Sequence, residues 1–200
     1  MKLSEQAGLV IDQYNGLVTA KQAVHDGLAS YSSLSRMERE GLLERVGPGI
    51  YVDPSEFEDS FAIAQLRLSR GIFFKETALY LYDLTDTTPN ALEMNFPMGV
   101  NPNQKTLSNL GVISYHQVAH LYELGITEVK TPNGNTVQAY DMERTLCDII
   151  RAPHVAQDEV IRNAMRDYVN RRGKNIPRLM EYARKLKVEK RMRTYLEVLL

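Results

Sequence analysis

The sequence predicts an α+β protein in two parts, and three observations carry that prediction. Residues 1–55 hold three short helical stretches, then a strand, a Gly-Pro-Gly turn and a second strand. An acidic, turn-rich segment, "SEFEDS", follows Asp53-Pro54 without any apolar period. Beyond it, strand patterns cluster first and helical patterns last. Together these give an N-terminal winged helix-turn-helix over residues 1–56. A larger α+β domain then covers residues 57–200, strands first and helices at the C-terminus.

Each element follows from a local signal. In "KLSEQAGLVIDQYNG", Leu3, Ala7, Val10, Ile11 and Tyr14 recur at helical spacing, and Asn15-Gly16 is a stop. Thr19 is a good N-cap for Ala20–Asp26, which Gly27 ends. Ser30 caps the next stretch, Leu34 and Met37 share a face, and Gly41 stops it. "LLERV", "GPG" and "IYVDP" read as strand, turn and strand, a two-stranded wing. Past the junction, "FAIAQLRLSRG" predicts an amphipathic helix ended by Gly71. "IFFKETALYLYDL" is a short strand running into a helix, and "NALEMNFP" and "GVISYHQV" are strands. "GITEVKT-PNG-NTVQAYD" is a hairpin with a Pro-Asn-Gly tip. Asp141 caps "MERTLCDIIR", with Arg144 and Asp148 one turn apart and Pro153 closing the segment. Helices are expected at 157–172, at 177–186 after an Asn175 cap, and at 189–200.

Composition narrows the class. Apolar residues make up 44% and charged residues 24%, ordinary for a soluble globular protein. No run approaches the roughly 20 apolar residues of a membrane span. Glu5 and Asp12 interrupt the apolar N-terminal stretch, so a signal peptide is not expected. Cys147 is the single cysteine, which fits a small core residue in a reducing cytoplasm. A cytoplasmic protein without a membrane partner is the expectation.

The charge is uneven. Residues 1–55 carry five Lys/Arg against seven Asp/Glu, residues 56–150 six against twelve, and residues 151–200 thirteen against six. A basic final quarter on an acidic middle points to a polyanionic partner. Solvated helix faces explain the same count.

The helix from Ser30 to Glu40 is the first candidate site. With Leu34 and Met37 turned inward, Ser32, Ser33, Ser35, Arg36 and Arg39 are left outside. Short hydroxyls permit close approach to a groove wall, and Arg suits guanine O6 and N7. Thr19 and Lys21 begin the preceding helix, whose N-terminus meets the phosphate backbone in this motif. Arg45 and the tip at Gly47-Pro48-Gly49 lie at the wing. Against DNA stand the net negative charge of this segment and Glu38, Glu40 and Glu44; many such modules only dock proteins.

The C-terminal region is the second. Leu179, Tyr182, Ala183 and Leu186 form one apolar stripe, and Val188, Met192, Leu196 and Leu199 another. Around them lie Arg171, Arg172, Lys174, Arg178, Arg184, Lys185, Lys187, Lys190, Arg191 and Arg193. They are either solvated cations on packed helices or a face for phosphate or an acidic or RNA-binding partner.

Catalytic signals are weak. His116 and His120 have helical metal-ligand spacing, but "VISYHQV" reads as a strand and position 117 is Gln. Glu128 and Lys130 form an E-x-K strand pattern of metal-dependent nucleases. Their needed acidic neighbour is lacking, because Asp83 and Asp86 are more than 40 residues upstream in a turn. A nuclease targeted by a winged helix is the alternative reading. No phosphate-binding glycine loop, nucleophile elbow or triad around Cys147 is evident, and His25 and His154 stand alone. A small-molecule-responsive repressor is a third reading, without a clustered polar pocket in the sequence. No catalytic residue, metal or cofactor is expected.

The order "GLVTAKQAVHDG", "LSRMEREGLLERVGPGIYVDP", "ALYLYDLTDTTPN", "ELGITEVKTPNGNTVQAYDMERTLCDIIR" and "GKNIPRLMEYARKLKVEKRMRTYLEVLL" resembles the AbiEi family of bacterial antitoxins. The likeness runs over nearly the whole chain. "YDMERTLCDIIR" and "IPRLMEYARKL" are its specific part, whereas the winged-helix portion alone is generic. The resemblance implies that the winged helix binds inverted repeats in its own double-stranded promoter and represses it. It implies that the C-terminal domain neutralises a cognate nucleotidyltransferase toxin encoded by the next gene, without stable binding as the rule. Such systems serve phage defence by abortive infection. The expected state is a monomer or weak dimer, cooperative on DNA. Asp141, Glu143 and Arg144 are expected to be structural.

Overall fold

The protein is described from a computed structural model that covers residues 2–55, 58–152 and 155–199. The expected junction at residues 56 and 57, the closing Pro153 and the lone His154 lie outside the described residues. The chain forms two compact units, Met1–Arg67 with Pro132–Asn135, and Leu68–Thr131 with Thr136–Leu200.

The first unit begins with α1 (Leu3–Gln13), β1 (Leu17–Thr19), α2 (Ala20–His25) and α3 (Tyr31–Arg39). The wing follows as β2 (Glu44–Gly47) and β3 (Ile50–Val52), then α4 (Ser60–Arg67). Asn15 and Gly16 both take positive φ, and the Gly16 N–H closes on the Ile11 carbonyl, so the Asn-Gly stop ends α1 as the sequence indicates. The wing was expected to have two strands, but the sheet has three, in the order β1-β3-β2, all antiparallel. "LVT" is too short for a period-2 pattern, and it becomes a strand only because Leu17 and Thr19 pair with Val52 and Ile50. Val10, Ala23, Leu34 and Met37 are fully buried in one cluster with Val18, Leu43 and Tyr51. Burying Leu34 and Met37 contributes about 1.5–3 kcal/mol each, which fixes the angle at which α3 sits on the module. The tip Pro132–Asn135 joins this unit through Asn15 Nδ2 donating to the Asn133 carbonyl and Asn135 Nδ2 donating to Asp59 Oδ2, each at 2.8 Å.

The second unit holds β4 (Ile72–Phe73), α5 (Lys75–Leu81), β5 (Leu92–Pro97), α6 (Gln104–Asn109), β6 (Val112–Gln117) and α7 (Ala119–Tyr122). It continues with β7 (Ile126–Lys130), β8 (Thr136–Tyr140), α8 (Met142–Ile149), α9 (Asp158–Asn170), α10 (Ile176–Lys185) and α11 (Glu189–Leu199). Its mixed sheet has the order β6-β5-β4-β8-β7. Strands β5/β6 and β4/β8 are parallel, while β4/β5 and β7/β8 are antiparallel. Leu79, Leu146, Ile149, Ile161, Met165, Leu179 and Met192 form the continuous core under α5 and α8 to α11. This is the predicted α+β architecture, strands before helices.

Two details differ from the sequence reading. The helix expected to end at Gly71 stops at Arg67, and Gly71 serves close packing instead. A Cβ there would lie 2.6 Å from Met94 Cε and 2.8 Å from Phe96 Cζ. Helices α6 and α7 were not foreseen. They are one or two turns long, below the length at which a period shows.

Helix α8 is held by a buried charge. Arg144 is fully enclosed, and its Nε donates to Asp148 Oδ2 at 2.8 Å. Its remaining donors reach the carbonyls of Leu121 and Leu124 and the Gln117 Oε1, and its guanidinium stacks 4.3 Å from the Tyr140 ring centre. A buried ion pair is tolerable only when its other donors are satisfied in this way. Asp141 caps α8 by accepting from the Arg144 N–H at 2.8 Å. Glu143, also buried, accepts from the Tyr168 hydroxyl and the Asn175 N–H.

Candidate nucleic-acid interface

The outer face of α3 is built by its cap and its two anchors. Ser30 Oγ accepts from the Ser33 N–H at 3.1 Å and lies 2.9 and 2.8 Å from the hydroxyls of Ser32 and Ser33. This cluster fixes the first turn. With Leu34 and Met37 buried, Ser32, Ser35, Arg36 and Arg39 are exposed, while Ser33 is half-buried and engaged in the cap. Arg36 Nε lies 3.4 Å from Glu40 Oε1, an exposed pair one turn apart. Arg39 Nε donates to the Ser35 carbonyl at 3.3 Å. Each contact is weak enough in water for a phosphate or base to displace it.

At the start of α2, the Thr19 hydroxyl accepts from the Gln22 N–H at 3.2 Å and donates to Gln22 Oε1 at 2.6 Å. That capping box leaves Lys21 as the exposed cation of this helix. Asp26 ties the helix ends together, taking the Tyr14 hydroxyl and lying 2.8 Å from His25 Nδ1. The His25 contact and then the tyrosine hold its carboxyl below the usual range, and the shared proton pushes the Tyr14 hydroxyl up to about 12.

On the wing, Arg45 is exposed and its Nε donates to the Gly47 carbonyl at 3.2 Å. Of the two tip glycines, only Gly49 has a backbone reason to be glycine. Gly49 takes φ +67°, a left-handed conformation that favours glycine. Gly47 has no positive φ, but a Cβ there would lie 2.6 Å from Arg67 Nη1. Arg67, at the end of α4, therefore lies against the wing turn. It was missed in the sequence because nothing local connects position 67 to position 47. Tyr31 was missed too. It opens α3 with 61% of its surface exposed, a flat aromatic beside the serines; "SYSS" was the only signal.

The basic C-terminal residues divide in function. Arg191 Nη1 donates to the Ile150 carbonyl at 2.8 Å and Arg171 Nη2 to the Asp83 carbonyl at 2.7 Å. Arg178 lies 3.9 Å from Asp141 and 4.0 Å from Glu143. These three brace the second unit. Lys185 and Arg193 form exposed pairs with Glu181 and Glu189. Arg172, Lys174, Arg184, Lys187 and Lys190 are exposed.

The sequence's catalytic patterns are dispersed. His116 sits on β6 and His120 on α7, so they do not share a helix. Glu128 faces Gln138 across β7/β8, and Lys130 Nζ donates to Thr136 Oγ1. Among the described residues, no three His, Cys, Asp or Glu side chains come together as a metal site. Cys147 is buried, and that burial pushes its thiol far up. No described helix is long and apolar enough to cross a membrane.

Residues 9–52 match a family described as "Transcriptional regulator, AbiEi antitoxin". The resemblance to AbiEi antitoxins holds on this segment. It runs from α1 to β3, the helix-turn-helix and wing, the portion that sequence reading treated as generic. No curated protein matches the chain. Among solved structures, the RV2827C protein from Mycobacterium tuberculosis is similar with a TM-score of 0.58 and 15% identity, over 90% of this chain and 70% of that one. That likeness establishes a shared fold.

Proposed function

We propose that this chain is a non-enzymatic antitoxin that represses its own operon through the first unit. The carrying observation is the coincidence of the AbiEi regulator match at residues 9–52 with a reading helix of suitable build. Helix α3 offers Ser32, Ser35, Arg36 and Arg39 to a major groove. Lys21 contacts the phosphate backbone from α2, while Arg45 and Arg67 approach it from the wing. Thr19 and Ser33 act through the caps they build. The units are assigned as a DNA-binding domain and an antitoxin domain, the latter opposing a nucleotidyltransferase encoded beside it. Exposed cations such as Arg184 and Lys190 are its candidate contacts.

The test is functional rescue. Coexpression of this chain with the neighbouring nucleotidyltransferase restores growth, and an Arg36→Ala/Arg39→Ala variant rescues equally well when both genes run from a foreign promoter. Absence of rescue, or rescue lost in that variant, contradicts the division of labour.

A further inference from the structure

Lys75 is held in a way that packing alone does not explain. It has φ +52°, the left-handed region that a lysine rarely occupies, at the first position of α5. Only 8% of its surface is exposed. Its ammonium sits 4.9 Å from the ring centre of Tyr115 and 5.7 Å from that of Phe74, two rings that meet edge-on. Residues kept in such conformations cluster at ligand sites.

The lysine opens onto a cleft of about 370 Å³, within the range of small-molecule sites. Three segments line it: Phe74 and Lys75 at the start of α5, Ser114 to Gln117 from β6, and Asp148 of α8 with Arg151 and Ala152 just beyond its end. Internal hydrogen bonds hold the lining side chains in place. His116 gives its Nε2–H to the Val100 carbonyl at 2.8 Å, which fixes the ring. Gln117 accepts from Arg144 through Oε1, so its amide NH₂ is oriented to donate elsewhere. Tyr115 donates to Glu93 Oε1 at 3.0 Å, which anchors the aromatic wall. The one lining carboxylate, Asp148, already takes the Arg144 Nε. Lys75 and Arg151 are thus the lining cations, beside a carboxylate neutralised from behind. Burial lowers the Lys75 pKa, and the nearby carboxylates of Glu93, Asp148 and Glu76 act in the opposite direction.

We propose that this cleft binds a small phosphate-bearing ligand of nucleoside-phosphate size through Lys75 and Arg151. The phosphate takes the two cations and the Gln117 amide NH₂ of β6, and the aromatic wall shields the contact from water.

Isothermal titration of the full chain with ATP, inorganic pyrophosphate and adenosine tests this. The expected result is single-site binding of ATP and pyrophosphate, with adenosine far weaker. Lys75→Met and Arg151→Met each weaken ATP about tenfold or more, whereas Lys105→Ala, at an exposed lysine of α6 away from the cleft lining, leaves it unchanged. Thermal melts establish that each variant is folded, and Arg151→Met decides the matter if Lys75→Met is not. No heat with either phosphate probe overturns the assignment. So does adenosine binding as tightly as ATP, or ATP binding that neither Lys75→Met nor Arg151→Met weakens.

Discussion

Arg36 stands on the outer face of α3 with Glu40 as its close acidic neighbour one turn on. A surface pair of this kind stabilises the helix by about 0.3–0.5 kcal/mol, far less than the roughly 1–3 kcal/mol of discrimination from a bidentate arginine on guanine. On the proposed function, DNA therefore wins the competition for the guanidinium. Arg36→Ala is expected to flatten the difference between promoter and scrambled duplexes by that amount. Glu40→Ala, which removes a competitor and a like charge to phosphate, is expected to tighten both duplexes several-fold. Fluorescence anisotropy with the two duplexes measures each effect. Weaker binding by Glu40→Ala would mean that Arg36 must be held by Glu40 to read DNA.

At the scale of elements, caps decide which helices persist. Ser30 on α3 and Asp141 on α8 were both legible, because a short polar residue stands just before a periodic apolar run. Strand β1, the approach of Arg67 to Gly47 and the strained Lys75 were not. Each depends on a partner far along the chain, and no local pattern carries it. The Asp141 cap has a pH consequence. Burial, reinforced by Glu143, raises its carboxyl from 3.8 to about 6 despite the Arg144 N–H bond. A carboxyl with a raised folded pKa favours the fold below pH 3.8, and that contribution is lost as pH rises through about 6. Asp141→Asn keeps a good cap and removes the titration. Thermal melts between pH 4 and pH 7 are expected to show the wild type losing stability relative to the variant as pH rises. A constant difference across that range would contradict the assignment.

Across the whole molecule, charge sets how the proposed DNA contact can be made. The first 55 residues are net acidic, and the surplus of cations lies in the final quarter of the chain. On the proposed function, attraction of DNA by the first unit must come from a few placed residues, not a broad field. That division was readable from residue counts. The braces made by Arg171, Arg178 and Arg191 were not, because a count cannot tell a cation bonded to a carbonyl from one facing solvent. The polar cleft was equally hidden, since α5, β6 and the end of α8 are brought together only by the sheet. The central claim is promoter reading by α3. The most direct measurement is the salt dependence of binding to the chain's own promoter, for the wild type and for Arg36→Ala/Arg39→Ala. The account predicts a linear fall of log K with log salt, and loss of promoter preference in the double variant. Unchanged promoter preference in that variant would contradict it.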